Sequence, residues 1–171
     1  DIWMRLLGHV PGSVLWLLAD NADAVANLRR AAAARGIAED RLVFAPRAPL
    51  PEHLARHQWA DLFLDTLPCN AHTTASDALW AGLPVLTCLG TTFAGRVAAS
   101  LLTAVGLPEL ITESLADYEA TALQLANNPD ALLKIRHKLQ LQRGTSPLFD
   151  TPLFTAHLEQ AYLQMVERHR S

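Results

Sequence analysis

A chain of 171 residues has the length of one domain, and with 50% hydrophobic and 18% charged residues it can bury a core and is not a disordered tail. A net charge of −3 excludes the basic footprint of a nucleic-acid partner, while a single bound anion stays open because local dipoles decide that. Cys69 and Cys88 offer neither a disulfide framework nor zinc spacing, no apolar run is long enough to cross a membrane, and nothing reads as a signal peptide, so a reducing, cytoplasmic setting without a membrane partner is expected.

The chain opens at Asp1, at what reads as the edge of a helix, so an upstream part is expected to be missing. Ile2, Trp3, Leu6, Leu7 and Val10 recur at helical spacing until Pro11 and Gly12 end the run. Residues 13–19 (SVLWLLA) are too short and too apolar for an amphipathic helix and predict a strand buried on both faces. Asp20 and Asn21 supply a cap signal for an alanine-rich helix over 22–35, which Gly36 stops. A strand follows at 41–45, then a loop stiffened by Pro46, Pro49 and Pro51, then a short helix over 51–57. Residues 62–64 form the next strand, a loop runs from 65 to 71, and a helix opens at His72, Thr73 and Thr74. Gly82 and Pro84 turn the chain into a strand at 85–88. A helix over 93–104 and a short last strand at 109–111 come next, followed by helices over 114–127 and 129–142 and a long closing helix over about 151–169.

Short strands alternating with helices make βαβ units and a parallel sheet, whose right-handed crossovers bring the loops after the strands to one edge. Ligands bind at that edge. His53, His72, Thr73, Thr74, Asp77, Thr91 and Arg96 all come just after predicted strands. A helix start beyond a strand gathers orphan N–H groups and the positive end of the helix dipole, which suits a phosphate or diphosphate. The plainer reading of Thr74 to Asp77 is a capping box with Asp in place of Glu. Asp77 either complements the helix dipole or accepts hydrogen bonds from a ribose diol. The Pro-rich loop presents backbone groups in a fixed geometry that suits a planar base edge. His53 and Arg56 share a helix face and could stack on that base, or be ordinary solvated residues. Thr92 and Arg96 mark either a second ligand group or a cap with an ion pair. Trp16, Trp59 and Trp80 read as core, and no Ser-His-Asp or Cys-His set can be assembled.

The blocks SVLWLL, RLVFAPRAP with EHLAR, ADLFLDTLPCNAHTTASDALWAGLPVLT, GTTFAGRVAASLL and SPLFDTPLFTAHLEQAYLQM resemble, in order and along nearly the whole chain, the C-terminal catalytic region of the O-GlcNAc transferases, with a bacterial relative as the expected source. The resemblance implies an α/β fold, a Rossmann-like parallel sheet with flanking helices forming the C-terminal half of a two-domain, GT-B type glycosyltransferase. It implies UDP-N-acetylglucosamine as donor, a protein Ser or Thr hydroxyl as acceptor, inversion at the anomeric carbon, and no metal or other cofactor. Carried over by position, Ala48 offers backbone contacts to the uracil, His53 packs on it and Arg56 lies nearby. His72, Thr73 and Thr74 hold the diphosphate, with Thr73 and Thr74 stabilising the leaving group. Asp77 binds the ribose, and Cys69 lies near the N-acetyl group. Leu50 stands where mammalian members have a ribose-contacting lysine, with Arg47 as a possible substitute. The first strand of the domain, a phosphate-binding glutamine, a leaving-group lysine, an N-terminal Rossmann-like domain and tetratricopeptide repeats that deliver the acceptor are all expected upstream of Asp1. Residues 1–171 alone are expected to be inactive. The competing readings are a non-catalytic nucleotide- or protein-binding module, and a different UDP-sugar enzyme of the same architecture.

Overall fold

The computed structural model describes residues 1–170. Its helices are α1 (Ile2–His9), α2 (Ala22–Ala33), α3 (Leu50–Arg56), α4 (Thr73–Trp80), α5 (Val97–Ala104), α6 (Leu115–Asn127), α7 (Pro129–Arg143) and α8 (Thr151–Arg170). The strands are β1 (Leu15–Leu18), β2 (Leu42–Ala45), β3 (Phe63–Leu64), β4 (Val85–Cys88) and β5 (Ile111–Thr112). Every pairing is parallel: β1 lies against β2, and β4 lies between β3 and β5. Parallel neighbours need a crossover, which α2, α4 and α5 supply.

Three of these helices end in the same way. Gly36, Gly82 and Gly106 have positive φ. The next residue's N–H returns to the helix, as Leu83 N does to Ala78 O at 2.8 Å, and the glycine N–H of Gly82 returns to Leu79 O at 3.1 Å. This Schellman ending satisfies the last carbonyls and aims the chain at the next strand. The carbonyls at the end of α1 are held instead by the Arg41 guanidinium, which donates to Leu7 O and Val10 O at 2.9 Å each and also to Ser13 O.

The strands sit in two cores. All of β4 is buried, and Leu79, Leu102, Leu107, Leu110 and Leu139 close around it. Burying side chains of this size is worth roughly 1.5–3 kcal/mol each. A smaller cluster of Leu7, Ala32, Ile37 and Leu42 gathers Leu15, Leu17 and Phe44 under β1 and β2. Consecutive residues of α1, Leu6 and Leu7, enter the first and second clusters respectively, so α1 spans the seam between the two sheets.

Several expectations are corrected. The strand predicted over 13–19 forms, but it is not buried on both faces. Leu15 and Leu17 point into the small core while Leu18, on the opposite face, is 47% exposed, because successive strand side chains alternate. Trp59 is 74% exposed and Trp80 49%, so neither is core. Trp80 is on the outer side of α4, with the Phe149 ring at 5.1 Å and the Arg143 guanidinium at 5.5 Å beside it. The helix predicted from residue 93 starts at Val97, since residues 91–96 are spent on turns in which Gly95 N donates to Thr92 Oγ1 at 3.2 Å. The closing helix α8 is present, with Phe154, Tyr162, Leu163 and Met165 all uncovered. Among the described residues no helix is long and apolar enough to cross a membrane.

Candidate functional site

The loop after β3 and the start of α4 form the centre of the site. Residues 66–71 fold back on themselves: Thr66 Oγ1 donates to Cys69 O at 2.7 Å and Asn70 Nδ2 to Thr66 O at 3.0 Å. The loop leans on the one after β4, where Asn70 N donates to Ala94 O at 2.9 Å. Two glycines permit that approach. A Cβ on Gly95 would stand 3.0 Å from Pro68 O, and one on Gly90 would stand 3.0 Å from Gly95 Cα.

Helix α4 has His72 at its N-cap, and no side chain caps it. The expected capping box of Thr74 and Asp77 is therefore absent. The helix begins one residue before Thr74, so Thr73 and Thr74 lie inside the first turn, where a hydroxyl does not reach the N–H groups ahead of it. The first internal bond is Ser76 N to His72 O at 3.1 Å. The N–H groups of His72, Thr73, Thr74 and Ala75, and the hydroxyls of Thr73 and Thr74, bond to no described residue. All three side chains from His72 to Thr74 are exposed. His72 Nε2 lies 3.5 Å from Ala94 O, and its ring meets Phe93 edge-on with centroids 6.2 Å apart. Cys69 is exposed at the outer corner of the loop.

Asp77 is half-buried one turn further along, its carboxylate without a hydrogen-bond partner among the described residues. It lies near enough to His53 to oppose the lowering of that residue's pKa, which comes chiefly from burial and then from the charges of His57 and Arg56. No hydrogen bond or ion pair joins the two side chains among the described residues, so Asp77 acts on His53 through its charge alone. Arg56 donates from Nη2 to His53 Nδ1 at 2.8 Å and from Nη1 to Pro46 O at 2.9 Å, and its guanidinium lies 5.6 Å from the Trp16 ring centroid. Because a guanidinium only donates, His53 accepts at Nδ1 and keeps its proton on Nε2. Arg56 is therefore committed to holding the Pro-rich loop and His53. Ala48 is half-buried in that loop, and its backbone N–H and C=O bond to no described residue.

Arg47, the suggested substitute for the lysine missing at Leu50, is engaged elsewhere. It makes a two-pronged pair with Asp20 at 2.7 and 2.6 Å that holds the Asp20 carboxyl below its usual pKa. Arg96 reaches no carboxylate among the described residues; its Nη1 lies 3.5 Å from Gly90 O. Sequence reasoning misses Asp65 and Thr87, which bond to one another in the interior at 2.6 Å. The available signal is a polar residue at or within the end of an apolar strand, as in FLDT and VLTC.

Residues 1–158 match the family model described as Glycosyl transferase family 41. The chain is 42% identical over its whole length to a probable UDP-N-acetylglucosamine–peptide N-acetylglucosaminyltransferase SEC of Arabidopsis thaliana, and 38% identical over its whole length to the UDP-N-acetylglucosamine–peptide N-acetylglucosaminyltransferase of Caenorhabditis elegans. It spans only 18% and 15% of those proteins. A solved structure, a mutant O-GlcNAc transferase of Thermobaculum terrenum, superimposes with a TM-score of 0.90 at 36% identity over 96% of this chain and 32% of that one. The fold is accordingly the α/β fold of a GT-B type catalytic region, with parallel strands and flanking helices, as the resemblance implied. By sequence and by fold, the chain belongs to glycosyl transferase family 41.

Proposed function

We propose that this chain is the donor-binding half of a transferase that moves N-acetylglucosamine from UDP-N-acetylglucosamine to Ser or Thr hydroxyls of proteins, inverting the anomeric carbon and using no metal. The observation that carries the reading is the start of α4. Four N–H groups and two hydroxyls are unspent there, in a family whose relatives are named for UDP-N-acetylglucosamine. Breaking the anomeric C–O bond leaves negative charge on the β-phosphate, and fixed donors aimed at that charge are the main electrostatic contribution a protein makes. Thr73, Thr74 and the N-terminal dipole of α4 fill that role. Each hydrogen bond to a charged oxygen is worth about 1.5–3 kcal/mol. Asp77 accepts from the ribose hydroxyls. Ala48 presents its free backbone groups to the uracil edge, and the neutral His53 ring, held by Arg56, packs on the uracil face. Cys69 borders the N-acetyl group.

The rest of the protein completes this site. His72, Thr73 and Thr74 stand exposed, and in this reading a second Rossmann-like domain in the same polypeptide closes the cleft over them, with the acceptor and its general base coming from that side. In the same reading residues 1–171 form one nucleotide-sugar domain that lacks a strand. A parallel strand inserted between β1 and β3, beneath the helix α1 that already packs on both cores, joins the two sheets in the order β2-β1-new-β3-β4-β5. A cytoplasmic location belongs to this reading as well.

Calorimetry on the full-length protein tests it. UDP should bind at least about tenfold more tightly than ADP or GDP, a difference of roughly 1.4 kcal/mol. Asp77→Ala should weaken UDP far more than it weakens pyrophosphate. Equal binding of the three nucleotides would remove the uracil assignment, and equal losses for UDP and pyrophosphate would remove the ribose role of Asp77.

A further inference from the structure

Asp65 ends the apolar stretch of β3 and is 3% exposed. One of its oxygens, Oδ1, accepts from both ends of the loop that leads to α4: Thr66 N at 2.8 Å and Ala71 N at 2.7 Å. The other, Oδ2, accepts from Thr87 Oγ1 at 2.6 Å. Thr87 lies on fully buried β4, and its own carbonyl accepts from Thr112 Oγ1 on β5 at 2.9 Å. The backbone of Asp65 is fixed too, with its N–H on Leu86 O at 3.0 Å and its carbonyl accepting from Tyr118 Oη at 3.0 Å.

Burying a carboxylate costs several kcal/mol even after the protein relaxes around it. Burial pushes the Asp65 carboxyl's pKa up, and its three hydrogen bonds oppose that rise. A residue with that cost and no reach to the open face of the site needs a reason to be there, and the geometry supplies one. Ala71, whose N–H Asp65 holds, is the residue immediately before the N-cap His72. Its peptide sets the direction in which the unspent N–H groups behind it point. Rotating that peptide by a few tens of degrees would turn the donors of α4 away from a ligand without unfolding the helix.

We propose that Asp65 is the positioning residue of the diphosphate cradle: anchored to β4 through Thr87, its carboxylate clamps both ends of the 66–71 loop and fixes the N-terminal donors of α4. The inference rests on the UDP reading above and goes beyond it, since Asp65 itself touches no ligand.

The experiment compares Asp65→Ala and Asp65→Asn in the full-length protein, measuring affinity for UDP, pyrophosphate and uridine. Asp65→Ala removes the clamp and weakens UDP and pyrophosphate by about tenfold, with uridine changed by less than about twofold, as expected when bound phosphate loses aligned donors. Asp65→Asn keeps an amide oxygen in place of Oδ1 for the two N–H groups and recovers most of the loss. Equal weakening of all three ligands, no weakening at all, or no recovery by Asn overturns the proposal. Should Asp65→Ala not fold, Thr87→Val carries the test: it frees only Oδ2, so pyrophosphate weakens by about threefold with uridine unchanged, and a loss shared equally by both ligands overturns the proposal. Thr73→Ala combined with Thr74→Ala separates the two levels. If that double variant binds pyrophosphate normally, the diphosphate reading has failed. If it binds pyrophosphate weakly and the Asp65 variants do not, only the positioning role has.

Discussion

Asn21, Ser114 and Asn128 each turn a side-chain oxygen onto the first N–H groups of the helix that follows, whereas His72 leaves those of α4 with none. Asn21 Oδ1 accepts from Asp23 N at 2.9 Å and Ala24 N at 3.1 Å, Ser114 Oγ from Asp117 N at 3.0 Å, and Asn128 Oδ1 from Ala131 N at 3.1 Å. These helices are finished within the chain. Helix α4 is richer in hydroxyls than any of the three starts, yet they fall one and two residues too late to cap it. The difference separates two uses of similar residue types. A hydroxyl or amide at the N-cap stabilises its own helix, while hydroxyls inside the first turn add to the donors the helix offers to something else.

Removing the hydroxyls of α4 gives the largest expected effect. Thr73→Ala with Thr74→Ala should weaken UDP by about ten- to a hundredfold, the loss of one to two hydrogen bonds to charged oxygens. The same change should leave unfolding within about 0.5 kcal/mol, because exposed hydroxyls without partners hold nothing and alanine is the better helix former. Isothermal titration and urea unfolding of one double variant report both quantities. The comparison breaks if stability falls by about 1 kcal/mol while UDP affinity holds, for then α4 would be capped by its threonines after all.

The mirror-image change is smaller. Ser114→Ala removes the acceptor for Asp117 N and should cost about 1 kcal/mol of stability, and Asn21→Ala should cost a similar amount. Neither residue belongs to the site, so UDP affinity should be unaltered in both. A loss of UDP binding equal to that of the Thr73 and Thr74 double variant would mean that binding follows general stability and not the start of α4.

How much of this was readable in advance depends on how local the physics is. Gly36 and Gly82 marked two helix ends, because only a backbone at positive φ closes a Schellman turn cheaply. Apolar runs of strand length marked β1 to β4 for the same reason of local pattern, whereas the last strand, expected over 109–111, forms at Ile111–Thr112 after a 3-10 turn over Pro108–Leu110. The spread of a strand pattern over two sheets did not show, since parallel pairing is decided by crossovers that a residue run does not encode. The capping box at Thr74 put the N-cap two residues too late, and that shift was enough to change the role of both threonines. Trp80 is apolar at helical spacing, but its side of α4 leaves it 49% exposed beside Phe149 and Arg143. Asp65 was hidden because its three donors come from residues 66, 71 and 87, and only the folded chain collects them. For the site, the loop-to-helix junction was legible from the order of strand, polar loop and helix. The influence of Asp77's charge on His53 was not, because α3 and α4 come within reach of one another's field only once the chain folds.

The charge of Asp77 near His53 supports the last and smallest prediction. The first turn of a capped helix looks after itself, whereas the open start of α4 should also present Asp77 toward the His53 of α3. Burial, His57 and Arg56 lower the His53 pKa below its ordinary 6.5, and Asp77 alone among the named influences raises it. A histidine titration followed by NMR should therefore place the His53 midpoint below 6.5, and Asp77→Asn should move it lower still. The sign carries into stability. Between the folded and unfolded pKa values the folded chain holds fewer protons, so stability rises with pH through that window and is lost on the acid side of 6.5. Asp77→Asn should enlarge that acid-side loss and leave the alkaline side unchanged. If the His53 midpoint stays where it was, Asp77 does not face α3, and a single ligand spanning the uracil and ribose positions would have to be given up even if the diphosphate site at Thr73 and Thr74 stood.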